Sequence, residues 1–315
     1  MEYKKLGRSG LYVSRLVLGT MNFGSSISEK QALEIMDAAV DAGINCFDTA
    51  NNYGKTVKKE GVSEEIVGKW ISNHNKRDKV ILSTKVYEPM GTLGANDKPG
   101  LSAYKIRNHF KDSLKRLQTD YIDIYYMHHI DKTYPWDEVF PVFQNMIANG
   151  SIIYLASSNF AGWNIADVQA EAKKRNMFGL ICEQHKYNLM NRLPELEVLP
   201  SAGNHGLGVM AWSPLNGGKL SRNYKFADMD DLLIRNQLTD FKNLCYDLGE
   251  KEDTVALAWL LHNPYISAPI IGPRSAEQIY DAAKALELKL SEDTLSRLNE
   301  IFPGPGGEAP EAYAW

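Results

Sequence analysis

The stretch INCFDTANNYG, residues 44–54, places a short apolar run directly before a polar turn. Asp48 ends the apolar run, and Tyr53 follows inside the turn. A short, continuous apolar run is typical of a parallel strand that is buried on both faces, and Asn, Asp and Gly are typical turn residues. We therefore predict a buried strand whose carboxyl end presents a carboxylate and a phenol.

Two later runs have the same form. VILSTKV, residues 80–86, carries Lys85 as its next-to-last residue, and YIDIYYMH, residues 121–128, ends on His128. In a barrel of alternating strands and helices, the carboxyl ends of the parallel strands meet on one face. The carboxylate, phenol, ammonium and imidazole are therefore expected to converge on one site, which indicates proton transfer to a substrate.

Strand and helix patterns alternate along the chain after a small hairpin turned at Ser9 and Gly10. Apolar runs predict a first strand that ends near Gly19 and further strands at residues 46–50, 80–86, 121–128, 151–159, 179–188, 207–215 and 265–272. Helical spacing and capping signals predict helices at residues 28–40, 63–73, 102–117, 136–149, 164–175, 195–205, 240–248, 254–262 and 275–286. Eight strand–helix units predict an α/β fold, a (β/α)8 TIM barrel with an N-terminal β-hairpin, as a single domain over residues 1–315. The alternative, a doubly wound open sheet, predicts a G-x-G-x-x-G sequence after an early strand, and the chain has none.

Composition argues against several classes of partner. A net charge of −4 and a pI of about 6.0 give no overall attraction to nucleic acid or to anionic membranes. No apolar run is long enough for a membrane span, and residues 1–20 lack the apolar core of a secretion signal. The three cysteines, Cys46, Cys182 and Cys245, form no CxxC pair and fit a reducing compartment, so a cytoplasmic location is expected.

A metal centre is not predicted. His128 and His129 are neighbours, and neighbouring strand residues are expected to point to opposite faces. No carboxylate or cysteine set has the spacing of a zinc site. The paired catalytic carboxylates of a barrel hydrolase are also missing from the strand ends.

The four strand-end groups suit carbonyl reduction. A phenol with a pKa near 10 is a weak acid, and the ammonium of Lys85 is expected to lower that pKa. Asp48 is expected to pair with Lys85 and keep it charged, while His128 donates a hydrogen bond to the carbonyl oxygen of the substrate. No side chain supplies a hydride, so a nicotinamide cofactor is predicted.

The chain resembles the aldo-keto reductases along almost its whole length. The motifs that carry the resemblance are LGTMNFG, GINCFDTANNYG, SEEIVGKW, STKV, LKRLQTDYIDIYYMHHID, SSNF, EQHKYNL, WSPL and IIGPRS. Within that family it is similar to the bacterial branch with the NDP-sugar enoyl reductases and the potassium-channel β-subunit-like proteins. The resemblance implies an NADP(H)-dependent oxidoreductase with a catalytic tetrad of Asp48, Tyr53, Lys85 and His128.

The resemblance also implies the cofactor contacts. The residues expected to bind the nicotinamide carboxamide are Ser158, Asn159 and Gln184, and Trp212 is expected to stack on the nicotinamide ring. The pyrophosphate would be lined by Ser213, Pro214, Leu215, Gly217 and Leu220, and the adenosine end by Gly272, Arg274, Gln278 and Ala282. Further cofactor contacts are expected from Gly19, Thr20, Met21 and Asp48.

Four positions depart from the best-known members of the family. His129 stands where they usually carry Trp, and Trp212 where they carry a stacking Tyr. Gln278 stands where a second phosphate-binding Arg often lies, and Ala282 replaces an Asn that contacts adenine. With Arg274 as the single predicted phosphate ligand, we expect a partial preference for NADP(H), with NAD(H) as an alternative cofactor.

The segment 216–240 and the substrate pocket complete the predicted site. The segment is long and polar, and we interpret it as a flap over the cofactor pyrophosphate, with Lys219 or Arg222 supplying charge. The predicted pocket residues are Met21, Phe23, Asn52, Tyr87, His129 and Tyr187. A pocket of this composition suits a small-molecule carbonyl substrate, whether a sugar, a small aldehyde or an aromatic ketone. The oligomeric state stays open, as does a second function, that of a cofactor-binding regulatory or redox-sensing subunit with slow turnover.

Overall fold

The computed structural model describes residues 1–54, 60–73, 76–227 and 229–309. A two-stranded antiparallel hairpin comes first, with β1 at Tyr3–Lys5 and β2 at Tyr12–Ser14, and it pairs Lys4 with Val13. The remaining strands are β3 Val17–Gly19, β4 Cys46–Asp48, β5 Ile81–Val86, β6 Ile122–Met127, β7 Ile152–Ser158, β8 Leu180–Lys186, β9 Gly208–Trp212 and β10 Ile266–Ile271.

The helices alternate with these strands. They are α1 Glu29–Asp41, α2 Val62–Ser72, α3 Ala103–Leu117, α4 Trp136–Ala148, α5 Gly162–Lys174, α6 Val198–Asn204, α7 Leu232–Leu248, α8 Glu252–His262, α9 Ala276–Ala283 and α10 Glu292–Ile301. Local signals set several of the ends. Helix α1, for example, begins after a capping box in which Ser28 accepts from the backbone of Gln31 and the Gln31 side chain accepts from the Ser28 backbone.

Strands β3 to β10 form a closed parallel barrel in the order β10-β3-β4-β5-β6-β7-β8-β9. The predicted TIM barrel with its N-terminal hairpin is confirmed. Side chains fill the interior, where the Tyr126 hydroxyl lies 3.4 Å from Cys182 Sγ and 3.5 Å from Met210 Sδ. A second, larger apolar layer lies between the strands and the helices, and there Phe47 packs on Trp70 with ring centroids 5.2 Å apart. Because side chains fill the interior, the space for a ligand lies at the ends of the barrel rather than inside it.

Two helices differ from the prediction. Helix α7 begins at Leu232 rather than near residue 240, because Asp231 Oδ1 accepts from the backbone of Ile234 and the helix buries Leu238 and Phe241. The segment after β9 is therefore shorter than the predicted flap. Helix α10 was not predicted, although Ser291 caps it by accepting from Thr294.

Within the described residues, no helix is both long enough and apolar enough to cross a membrane.

Candidate active site

Lys85 is the centre of a buried polar cluster at the carboxyl ends of β4 and β5. Its ammonium donates to Asp48 Oδ2 at 2.5 Å, to the Thr49 carbonyl at 2.9 Å and to the Tyr53 hydroxyl at 3.2 Å. The ring of Tyr126 lies beneath it, with the centroid 5.8 Å from Nζ. The structure therefore brings together three of the four side chains in the predicted tetrad.

Asp48 is held at both of its carboxylate oxygens. Oδ2 accepts from Lys85, and Oδ1 accepts from Ser83 Oγ at 2.7 Å and from Gln184 Nε2 at 2.9 Å. Ser83 was not predicted as part of the site. Strand periodicity could have identified it, because Ser83 lies two residues before Lys85 in β5 and so faces the same side.

The charge on Lys85 is stabilised by its neighbours. Burial acts to lower the pKa of Lys85, but the attraction of Asp48 and Tyr53 outweighs burial and raises that pKa above its usual value. An ammonium enclosed in this way keeps its proton at neutral pH. It therefore presents a fixed positive charge to the Tyr53 hydroxyl.

The pKa of Tyr53 differs from the prediction. Burial raises the pKa of this phenol, and the nearby Lys85 only opposes that rise, so the net pKa lies above its usual value. The expectation of a net lowering is wrong, although the direction of the Lys85 effect is as predicted. The effect of burial is the larger one, because removing the phenolate from water costs more free energy than the attraction of one ammonium at 3.2 Å contributes.

His128 lies beside Tyr53, with the two rings edge to face and their centroids 5.8 Å apart. Burial, then Lys85 and His129, hold the pKa of His128 well below its usual value, so the imidazole is neutral at neutral pH. The ring of His129 stacks on that of His128, with centroids 5.0 Å apart and planes 13° from parallel. The prediction that the two rings point to opposite faces is wrong, because β6 ends at Met127 and both residues lie in the loop after it.

The residues expected to bind the nicotinamide carboxamide lie next to Asp48. Gln184 contacts Asp48 directly. Ser158, on the neighbouring strand β7, is the register partner of Gln184. Asn159 Nδ2 donates to Ser158 Oγ at 3.0 Å, and Trp212 Nε1 donates to Asn159 Oδ1 at 3.1 Å. The structure thus gathers all four residues on one side of the tetrad.

The residues expected around the pyrophosphate follow β9. Ser213 has a φ of +55°, and its side chain accepts from the Gly217 backbone at 3.1 Å. Pro214 and Leu220 are buried, while Leu215 is half-buried. Arg222, predicted to offer charge to the cofactor, is paired with Asp281 at 2.5 Å, which ties this loop to α9.

The residues expected at the adenosine end follow β10. Gly272, Arg274 and Gln278 are exposed, and Ala282 is half-buried on α9. The Gln278 side chain accepts from the Arg274 backbone at 2.7 Å, which closes the turn before α9. This arrangement leaves the Arg274 guanidinium at the surface beside the start of that helix.

The remaining predicted contacts divide into surface and core. Met21 is 58% exposed, Gly19 is half-buried and Thr20 is buried, with its hydroxyl donating to the Asp48 carbonyl at 3.0 Å. Among the predicted substrate-pocket residues, those that are half-buried at the mouth are Asn52, Tyr87 and His129. Phe23 and Tyr187 are at most 1% exposed, so the structure places both rings in the core rather than at the mouth.

Comparison with known proteins agrees with this geometry. The family model described as Aldo/keto reductase family matches residues 15–302. The chain belongs to the aldo/keto reductase family. This membership and the oxidoreductase names of several relatives show that the protein is an enzyme, and they support carbonyl reduction as its general activity. Enzymes of this family generally use NAD(P)H.

Three relatives show the range of this aldo/keto reductase's similarities. The chain is 55% identical over 328 positions to an uncharacterized oxidoreductase, YrpG, of Bacillus subtilis (strain 168), with all of both chains covered. It is 35% identical over 309 positions to a probable voltage-gated potassium channel subunit beta of Oryza sativa subsp. japonica, covering 91% of this chain and 92% of that one. It is 29% identical over 340 positions to versiconal hemiacetal acetate reductase of Aspergillus parasiticus, covering 96% and 97%.

Proposed function

We propose that this protein reduces an aldehyde or ketone, with keto-sugars among the candidates, to the corresponding alcohol at the expense of NADPH. Tyr53 is the proton donor in this proposal. The observation that carries it is the contact chain from Asp48 through Lys85 to the Tyr53 hydroxyl, with steps of 2.5 and 3.2 Å. A carboxylate, an ammonium and a phenol in this order form a proton donor whose conjugate base is stabilised by a fixed charge.

The proton step follows from the charges. Tyr53 is protonated at neutral pH because burial raises its pKa, so the acid is in the form that donates. When its hydroxyl gives the proton to the carbonyl oxygen, the Lys85 ammonium at 3.2 Å stabilises the tyrosinate that remains. Asp48 keeps Lys85 charged and aimed during this step. Solvent then returns the proton to Tyr53.

His128 suits the orientation of the carbonyl. Its neutral imidazole carries one N–H, which can donate to the carbonyl oxygen without competing with Tyr53 for the role of acid. A single donor to a developing oxyanion contributes about 3 kcal/mol to the stabilisation of the transition state. The stacked His129 ring on one side and Tyr53 on the other limit how the His128 ring can rotate.

The donor set beside the tetrad fits a nicotinamide carboxamide. Gln184 and Ser158 are buried, and with Asn159 they offer two amides and a hydroxyl, which can both donate to and accept from a planar amide. Trp212 is half-buried next to them and offers an aromatic face. A reduced nicotinamide bound there supplies the hydride. These residues would hold the nicotinamide ring so that it faces the carbonyl carbon of the substrate.

Arg274 supports the preference for the phosphorylated cofactor. It lies exposed at the turn before α9, where the free backbone N–H groups and the helix dipole favour anions. A guanidinium binds a phosphate through two hydrogen bonds. The exposed Gln278 adds no charge, so we expect the preference for NADPH over NADH to be partial.

We also infer that residues 1–315 form one domain and that the protein acts in the cytoplasm. One closed barrel takes in all eight parallel strands, which supports the single domain. Cys46, Cys182 and Cys245 are all free thiols, which supports a reducing compartment.

A screen of NADPH oxidation tests the proposed activity. The substrates would be simple aldehydes, ketoses, nucleotide-linked keto-sugars and quinones, each with identification of the product alcohol. Many turnovers per protein molecule on at least one carbonyl compound are expected. A single turnover at most, on every compound, would contradict the proposal.

A second candidate function is a cofactor-binding regulatory or redox-sensing subunit with slow reductase activity. The likeness to proteins named as probable potassium channel β subunits favours it. The same screen separates the two functions, because a sensor binds NADPH tightly but oxidises it slowly. Measured cofactor affinity without sustained turnover would favour the sensor.

A further inference from the structure

Helix α3 carries two polar side chains, Lys105 and His109, on the face turned toward the loops of the site. They lie one helical turn apart, and each has about 1% of its surface exposed. Burying polar groups this deeply costs free energy unless they have partners. Their partners belong to the two loops that follow β4 and β5.

Lys105 holds the loop after β5. Its ammonium donates to the Tyr87 carbonyl at 2.5 Å and to the Lys98 carbonyl at 2.7 Å. Tyr87 in turn contacts the ring of His129, with centroids 5.1 Å apart. One end of α3 therefore supports the wall of the predicted substrate pocket.

His109 connects two loops. Its Nδ1 lies 3.1 Å from Asn51 Nδ2, and its Nε2 lies 2.9 Å from Asp97 Oδ1. An amide nitrogen only donates, so Nδ1 accepts from Asn51 and the proton of the neutral ring lies on Nε2, in close contact with the Asp97 carboxylate although the contact lacks hydrogen-bond geometry. Burial lowers the pKa of His109, which agrees with a neutral ring that carries this single proton.

Asp97 anchors one end of this chain of contacts. Its Oδ2 accepts from the backbone of Met90 at 3.1 Å, Thr92 at 2.8 Å and Leu93 at 3.4 Å. A carboxylate with three backbone donors is fixed in place. His109 is therefore packed against a rigid partner.

Asn51 stands at the other end of this chain of contacts, two residues before Tyr53. It is fully buried, and its backbone N–H donates to the Lys85 carbonyl at 3.2 Å. The Tyr53 backbone N–H closes the same turn by donating to the Ala50 carbonyl at 3.1 Å. The side chain of Asn51 thus ties this turn to α3, while its backbone ties the turn to the strand of Lys85.

We propose that Asp97, His109 and Asn51 form a positioning relay that holds the Tyr53 hydroxyl at its distance from Lys85. The relay rests on the proposed function of Tyr53 as the proton donor. None of the three residues needs to touch the substrate. A displacement of about 1 Å at a reacting group costs up to about 100-fold in rate, so loss of the relay lowers kcat rather than cofactor affinity.

Three variants separate positioning from mere stability. Asn51→Ala removes the donor to His109. His109→Gln offers a donor to Asp97 but not the acceptor for Asn51, whereas His109→Asn keeps an acceptor near the position of Nδ1. Asn108→Ala is the matched control, because Asn108 is half-buried on the same helix and its side chain donates to the Tyr104 carbonyl at 2.7 Å, within that helix.

The expected result is a split between kcat and cofactor binding. Asn51→Ala and His109→Gln lower kcat about tenfold, and His109→Asn keeps kcat within about threefold of wild type. The dissociation constant for NADPH, measured by fluorescence titration, stays within about twofold in all variants, and Asn108→Ala behaves as wild type. Equal loss of kcat in His109→Gln and His109→Asn, in step with the melting temperature, would show a structural role only and overturn the relay.

A second readout does not depend on turnover. In protein labelled at tyrosine Cζ, the Tyr53 carbon resonance is identified by its loss in Tyr53→Phe. It is expected to shift or broaden in Asn51→Ala and His109→Gln but not in Asn108→Ala. An unchanged Tyr53 resonance in both relay variants overturns the proposal even if their kcat falls.

The two proposals fail in different ways. If wild type turns over no carbonyl compound, or Tyr53→Phe keeps full turnover, the proposed function fails and the relay is judged by the Tyr53 resonance alone. If wild type is active, Tyr53→Phe is inactive and Asn51→Ala keeps its kcat, only the relay fails.

Discussion

Lys85 donates to Oδ2 of Asp48 at 2.5 Å, and neither side chain exposes more than 3% of its surface. A buried pair of this kind adds little net stability over an apolar pair, because both charges have been removed from water. Breaking the pair from one side is different, since it leaves an uncompensated charge in the core. The stability of the barrel and the proposed proton transfer at its mouth therefore depend on the same contact.

The first prediction concerns this contact. Asp48→Asn should lower the free energy of unfolding by about 3–5 kcal/mol, because Lys85 remains buried without its counter-charge. Urea denaturation measures the loss. Glu29→Gln is the control, because Glu29 pairs with Lys69 at 2.8 Å where both side chains are nearly half exposed, and such a pair is worth less than about 1 kcal/mol. Equal losses in the two variants would contradict the prediction.

The second prediction concerns the proton donor. Tyr53→Phe should lower kcat by about 10²–10⁴-fold and leave NADPH affinity nearly unchanged, because it removes the acid but not the cofactor contacts. Steady-state NADPH oxidation and fluorescence titration give the two quantities. Tyr104→Phe, an exposed tyrosine on α3, is the control and should change neither. Near wild-type turnover in Tyr53→Phe would remove Tyr53 from the role of acid.

The third prediction concerns stability below neutral pH. The pKa of His128 is held well below its usual value in the folded protein, so between that pKa and about 6.5 the unfolded chain binds a proton that the folded chain does not. The free energy of unfolding should therefore fall as pH decreases below about 6.5, by up to about 1.4 kcal/mol per pH unit for this group.

His128→Asn should reduce that slope, as measured by urea denaturation between about pH 8.5 and 5. Part of the slope should remain, because the pKa values of His109 and His129 are also lowered by burial. Above pH 7.5 the curves of wild type and variant should run parallel, which serves as the internal control. Identical slopes below pH 6.5 would show that His128 takes up its proton equally in the two states.

The fourth prediction concerns cofactor choice. Arg274→Ala should remove much of the preference for NADPH over NADH while leaving NADH affinity unchanged. The reason is that the guanidinium is expected to bind only the 2′-phosphate, which NADPH carries and NADH lacks. Fluorescence titration with both cofactors measures the preference. Arg297→Ala, at an arginine of α10 paired with Asp247 at 3.1 Å, is the control. If Arg222→Ala, rather than Arg274→Ala, removed the preference, the loop after β9 would hold the phosphate.

Local signals in the sequence were sufficient for most of the fold. The capping box at Ser28 and Gln31 placed α1. The short apolar runs placed the strands that carry Asp48 and Lys85 and the strand that ends directly before His128. Helix α10 was missed because its segment is largely polar and lies after the eighth strand–helix unit. Its Ser291 cap was nevertheless readable from the sequence.

The sequence by itself determined the order of strands and helices and which side chains stand at the strand ends. The reason is that the spacing of apolar residues and the capping of helices are local properties of the chain. Only the tertiary structure decided how those side chains affect one another. Burial raises the pKa of Tyr53 against the pull of Lys85, and the bend after β6 stacks His129 on His128. The contact of His109 with Asn51 joins residues 58 positions apart. Desolvation and contacts between distant residues depend on the packing of the whole barrel, which no local pattern encodes.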